Sequence, residues 1–171
     1  MSQEEKYFGK YRGIVVNNVD PKQIGRILAM VPDVSGIIPT SWAMPCVPIA
    51  GKQMGSHFVP QVGSGVWVEF EQGDPDYPIW VGCYWGSVAE VPVLALAGVP
   101  ASPNIVLQTT AQHSVIVSDL PGPTGGIMLK SATGATLIVN DTGIYIQNGK
   151  GASIIMVGPS VTINNGAMVI V

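Results

Sequence analysis

Few residues in this chain could carry out covalent or metal chemistry. It has two histidines, His57 and His113, and two cysteines, Cys46 and Cys83. The cysteines lack the close spacing of a metal site or a dithiol. Each lies in an apolar run, Pro45-Cys46-Val47 and Gly82-Cys83-Tyr84, so both are expected to be buried free thiols. Glu69 and Glu71 stand two apart, which on a strand puts both carboxylates on one side. A paired acid and base could use that spacing, but Val66, Val68 and Phe70 around them mark the solvated side of a half-buried strand. No H-E-x-x-H, G-x-S-x-G, P-loop or C-x-x-C pattern occurs. The expectation is a non-enzyme with no catalytic set, no metal site and no cofactor.

Nucleic-acid binding needs stacking platforms beside cations. Trp67, Trp80, Tyr84 and Trp85 could stack, near Arg12, Lys22, Arg26 and Lys52. Those cations are offset by Asp20, Asp33, Glu69, Glu71, Asp74 and Asp76, and the net charge is −3. That balance argues against general binding to phosphate backbones.

The elements that must position these groups are strands. Gly13–Val16, Gly25–Val31, a Pro-broken run at Trp42–Ile49, Val66–Glu71 and Pro78–Trp85 read as five strands, separated by Gly-, Pro- and Asp-rich turns. Five strands in this length, without helical periodicity, suggest a small OB-type barrel at residues 8–86. Residues 1–7 are expected to be a flexible tail and 87–104 a connector. Residues 105–171 are expected to form a β-stem and needle.

The stem has a short period. Gly126, Gly134, Gly143, Gly151, Gly158 and Gly166 recur every seven to nine residues. The residues at odd offsets from each glycine are all apolar. They are Ile127 and Leu129, Leu137 and Val139, Ile144 and Ile146, Ile154 and Met156, Val161 and Ile163, then Ala167, Val169 and Val171. Each repeat therefore has one dry face and is too small to bury it alone. From Ser131 onward only Asp141 and Lys150 are charged, so an open sheet would have unguarded edges. One solution is an intertwined trimeric β-helix, a β-prism closed by three chains. Its core would run from Ile127 to Ile163 and the glycines would form its corners. The other solution is an antiparallel meander in a monomer. Under three-fold symmetry His113 could supply three metal ligands, although a surface or interface histidine is the default.

Charged residues make up 11% of the chain and hydrophobic ones 47%, yet no run approaches the ~20 residues of a membrane span. The apolar surplus suits a subunit interface. The polar start, Met1 to Lys6, has no signal-peptide core, so synthesis in the cytoplasm is expected.

Several motifs follow one another in order. Arg12-Gly13-Ile14-Val15, Asn18, Asp20-Pro21 and Gly25-Arg26 are followed by Pro32, Trp42-Ala43 and Pro60 with Gly63. Then come Val66–Phe70, Gly73-Asp74 and Pro78–Gly82. Over residues 8–86 this series resembles the OB domain of the phage baseplate assembly protein V, central-spike and VgrG family. The resemblance implies a homotrimeric central spike of a contractile phage tail or phage-like injection system. The barrels would dock on a trimeric hub protein, and the needle would pierce the target cell envelope. The last strand, Ala167, Met168, Val169, Ile170 and Val171, has no polar cap and is the expected seat of a small PAAR-like tip protein. Some relatives carry a muramidase between barrel and needle; the 87–104 connector is too short to fold one. The alternative is an OB-type nucleic-acid-binding module with a β-rich oligomerisation tail.

Overall fold

The structure is a computed structural model that describes residues 5–170. It divides into two units, Met1–Val88 and Ala89–Val171. The first contains β1 (Tyr11–Asn17), β2 (Leu28–Met30), a single helical turn α1 (Pro32–Ser35), β3 (Met44–Pro45), β4 (Ala50–Gly51), β5 (Met54–Gly55), β6 (Gly65–Phe70) and β7 (Pro78–Tyr84). Five strands form a sheet in the order β2-β1-β6-β7-β3, in which β3 runs parallel to β7. Ile27 and Ala43 exchange both backbone hydrogen bonds, at 3.2 and 2.8 Å. That bridge joins the β2 end to the β3 end and closes the ring, as an OB barrel requires.

Alternation fills the barrel. Val66, Val68 and Phe70 point inward from β6, between the half-exposed Gly65, Trp67 and Glu69. They meet Val15, Ile27, Ala29, Val31, Ala43 and Trp80 in one core. The broad third strand expected at 42–49 shrinks to two residues, because Pro45 and Pro48 cannot donate to a ladder. The β4–β5 hairpin and α1 lie in segments read as loops. Of the expected tail, residues 1–4 lie outside the described residues. Tyr7 is tied to the body of the unit: its N–H donates to the Gly73 carbonyl at 2.8 Å, and its ring packs on Tyr11 and Phe70.

The β1–β2 loop turns on Asp20, whose side chain is 4% exposed. Its carboxylate accepts from the backbone N–H groups of Lys22, Ile24 and Arg26. It also accepts from Arg26 Nε at 3.0 Å and Nη2 at 2.6 Å. The guanidinium lies over the Trp42 ring, 5.2 Å from its centroid. Arg26, followed by the three backbone N–H groups, holds the Asp20 carboxyl well below the usual carboxylate range, against the opposing effect of burial.

The second unit begins with the connector and continues into β8 (Ile105–Gln108), β9 (Ser114–Ser118), β10 (Gly126–Lys130), β11 (Thr136–Asn140), β12 (Gly143–Gln147), β13 (Ser153–Val157), β14 (Ser160–Ile163) and β15 (Met168–Ile170). All eight form one antiparallel sheet in sequence order. Within a single chain the strands follow one another as an antiparallel meander. Short turns bring each strand back beside its predecessor. Gly134, Gly151, Gly158 and Gly166 occupy turns, whereas Gly126 and Gly143 are the first residues of β10 and β12. The last strand corrects the odd-offset frame. Asn164 and Asn165 both take positive φ and Ala167 is helical, so the turn is longer. Met168 and Ile170, not Ala167 and Val169, stand opposite Ile163 and Val161.

Two predictions follow from these placements. A carboxyl that binds its proton less readily when folded contributes stability above its unfolded value, near pH 4, and that contribution is lost as pH falls towards the lower native value. Asp20→Asn is expected to lower the melting temperature of the barrel at pH 7 by several degrees and to flatten its acid-induced loss. Parallel acid curves for variant and parent would assign that loss to another group. In the stem, a Cβ on Gly126 (φ +87°) would lie 2.1 Å from the Val139 carbonyl oxygen, whereas one on Gly158 (φ +54°) meets open space. In urea unfolding Gly126→Ala is expected to cost more than about 2 kcal/mol, and Gly158→Ala on the order of 1 kcal/mol.

Candidate functional site

Residues paired across an antiparallel ladder share a face, and the stem register aligns its apolar residues into two rows. One runs Ile105, Val117, Ile127, Val139, Ile144, Met156, Val161, Ile170; the other runs Leu107, Val115, Leu129, Leu137, Ile146, Ile154, Ile163, Met168. Every one of the eight strands gives one residue to each row, and every position is aliphatic. At ~4.8 Å per strand the rows extend roughly 34 Å. All ten residues expected in the needle core lie on them.

No residue of either row is buried in the single chain. Ile127 is 51% exposed, Leu129 44%, Ile146 41% and Ile154 39%. Half-exposed aliphatic side chains in these numbers leave on the order of 1,000 Å² of apolar surface, well above a normal monomer patch. The reverse face is better covered. Its central row is Val106, Ile116, Met128, Ile138, Tyr145, Ile155 and Thr162; all are half-buried or, at Ile116, buried. A polar row of Gln108, Ser114, Lys130, Thr136, Gln147 and Ser153 flanks it. The face without any polar side chain is therefore the one that the chain itself leaves open.

Of the expected tip segment, Met168 is 54% and Ile170 52% exposed. They lie on β15, an edge of the sheet. Val171 lies outside the described residues.

The groups with chemical potential are dispersed or already used. Both cysteines are exposed free thiols, which corrects the expectation of burial. Neighbours along a strand face opposite ways, so an apolar run does not enclose each of its members. Burial of part of the Cys83 side chain still pushes its thiol pKa up. The β6 strand ends at Phe70 and Glu71 opens a 3-10 turn, so Glu69 and Glu71 do not share a strand; Glu69 instead engages Lys10. His57 lines an open groove of about 510 Å³ with Ile24, Met44, Met54 and Phe58. His113 closes the β8–β9 turn, where its Nδ1 accepts from the Ala132 N–H at 3.4 Å. Among the described residues no cluster of His, Cys, Asp or Glu within the chain could hold a metal.

Several of the aromatic and cationic groups are engaged internally. Trp80 is 6% exposed, and its Nε1 donates to the Gly25 carbonyl at 3.0 Å. Arg12 lies over Trp67 and Tyr84, 5.4 and 5.3 Å from their centroids. Arg26 is committed to Asp20. Of the four aromatic residues considered for stacking, Trp85 is the exposed one, at 62%. Sequence reasoning placed Asp20 and Arg26 in the charge balance and missed their clamp. The available signal was Asp-Pro followed six residues later by Gly-Arg.

Among the described residues no helix is long and apolar enough to cross a membrane. Residues 11–85 match the family described as the type VI secretion system/phage-baseplate injector OB domain. Residues 104–169 match the phage baseplate V C-terminal trimerisation domain. A search of curated proteins finds no match. The barrel thus coincides with one match and the two-rowed sheet with the other. The chain belongs to the phage baseplate V family of injector spike proteins, with an OB domain followed by a trimerisation domain.

Proposed function

We propose that this protein is the central spike of a contractile phage tail or phage-like injection particle. Three copies turn their two-rowed faces towards a common axis and close a β-prism with a dry interior. The observation that carries this reading is the unbroken aliphatic face, from Ile105 and Leu107 to Met168 and Ile170, which apart from Ile170 lies inside a segment matched as a trimerisation domain. Three such faces cover one another, and no polar group is left unpaired among them.

The assigned work is mechanical. Antiparallel ladders pair the backbone of every inner strand, and a shared apolar interior makes local opening costly. Such a shaft transmits axial force to a target cell envelope. The barrel provides the base that docks on a trimeric hub protein. The outer edge of β15, the last strand of the sheet, fits a small PAAR-like tip protein, since an uncovered strand edge invites pairing. No cofactor or catalytic group is assigned.

Adjacent residues on opposite faces give a direct test. Ile146 lies in an apolar row and Gln147 in the polar row of the reverse face. Ile146→Asp would place three carboxylates in the interior at several kcal/mol each, and is expected to abolish the trimer seen by light scattering and on unboiled gels. Gln147→Glu is expected to leave it intact. A parent protein that is monomeric and soluble would overturn the spike reading, as would a trimer indifferent to Ile146→Asp. Removing Gly166–Val171 is expected to abolish co-purification of the tip protein; undiminished binding would overturn the tip assignment.

A further inference from the structure

Residues 86–103 lie between the two matched regions and belong to neither. The part within the second unit is not a plain linker. Val93–Ala95 forms a 3-10 turn, and Leu96 N–H donates to the Val93 carbonyl at 3.1 Å. Asn104 Nδ2 donates to the Leu94 carbonyl at 2.8 Å, which ties this turn to the residue before β8. Val99 and Ser102 form an antiparallel bridge, and the Ser102 hydroxyl donates to the Asp119 carboxylate just beyond β9. Gly98 fits so closely that a Cβ there would lie 2.8 Å from Asn104 Oδ1.

This anchored backbone holds three aliphatic side chains out to solvent. Val93 is 79% exposed, Leu96 55% and Val99 49%. A fold that fixes a segment this firmly gains nothing by exposing such groups, unless another surface covers them. The turn that carries Val93 packs against β8, the strand on which the apolar rows begin with Ile105 at 67% and Leu107 at 56% exposure. Between Glu90 and Asp119 there is no Asp, Glu, Lys or Arg, and interface cores are depleted in such residues.

We infer that the connector is part of the trimer contact. Val93, Leu96 and Val99 of each copy pack against a second copy of this chain and extend the apolar interface past the matched trimerisation domain. The occupant is a second copy because this patch is continuous with the rows that the trimerisation segment presents. In that position the three connectors close the β8 end of the shaft against water. The inference rests on the trimer reading above and adds a contact to it.

The test uses the full-length chain. A photo-crosslinking amino acid at Leu96 is expected to give covalent dimers and trimers of the chain, and the same group at the exposed Lys150 is expected to give none. Val93→Ser/Leu96→Ser/Val99→Ser is expected to speed subunit exchange between labelled and unlabelled trimers by about tenfold or more. If the parent protein is trimeric but Leu96 yields only uncrosslinked chain and exchange is unchanged, this inference fails and the spike reading stands. If light scattering shows no trimer, the spike reading fails first. Should the triple variant not fold, the Leu96 crosslink alone decides.

Discussion

Antiparallel pairing in constant register is the constraint on which the stem depends. Once Leu129 faces Leu137, the ladder fixes Leu137 opposite Ile146 and Ile146 opposite Ile154. A slip of one residue would exchange the apolar rows for Lys130, Gln147 and Ser153. The register is therefore set by the same requirement that creates the interface: every strand must offer two aliphatic residues to one side. A single curled sheet has no second layer for that side, and a layer is what an apolar face needs. The protein becomes stable by repeating itself in space around an axis, with no added helix or sheet of its own.

The barrel solves a different problem. It closes upon itself through the Ile27–Ala43 bridge and keeps a complete core. Its charges are spent on shape. The Asp20–Arg26 pair organises the β1–β2 loop, and Arg12 covers Trp67 and Tyr84. Two of the aromatic groups that could stack bases are taken up in this way: Trp67 and Tyr84 lie under Arg12.

Much of this was legible from periodicity alone. The inward set Val66, Val68 and Phe70 and the common sheet face of the ten stem residues follow from period two, because alternation is a local property of an extended chain. What failed was whatever depends on turns and tertiary partners. The Asn164-Asn165 turn displaced the frame of the last strand by one residue, a consequence of backbone angles that composition does not encode. The exposed thiols of Cys46 and Cys83 depend on which side of short, proline-limited or bulged strands each faces. The buried Asp20 clamp required knowing that residues six apart meet across a loop.

The neighbour-to-neighbour order of the stem also bears on how the molecule is made. Each strand needs only the one just before it, so loop closure costs little entropy, and low contact order goes with fast structure formation. The barrel must instead bring β1 to β6 across about half the unit, a slower search. During synthesis the barrel leaves the ribosome first and has the time in which the stem is translated to complete that search. The stem emerges after the barrel and zips rapidly into a sheet whose greasy side is still bare. Rapid encounter of sister chains, for instance on one polysome, therefore separates productive maturation from aggregation.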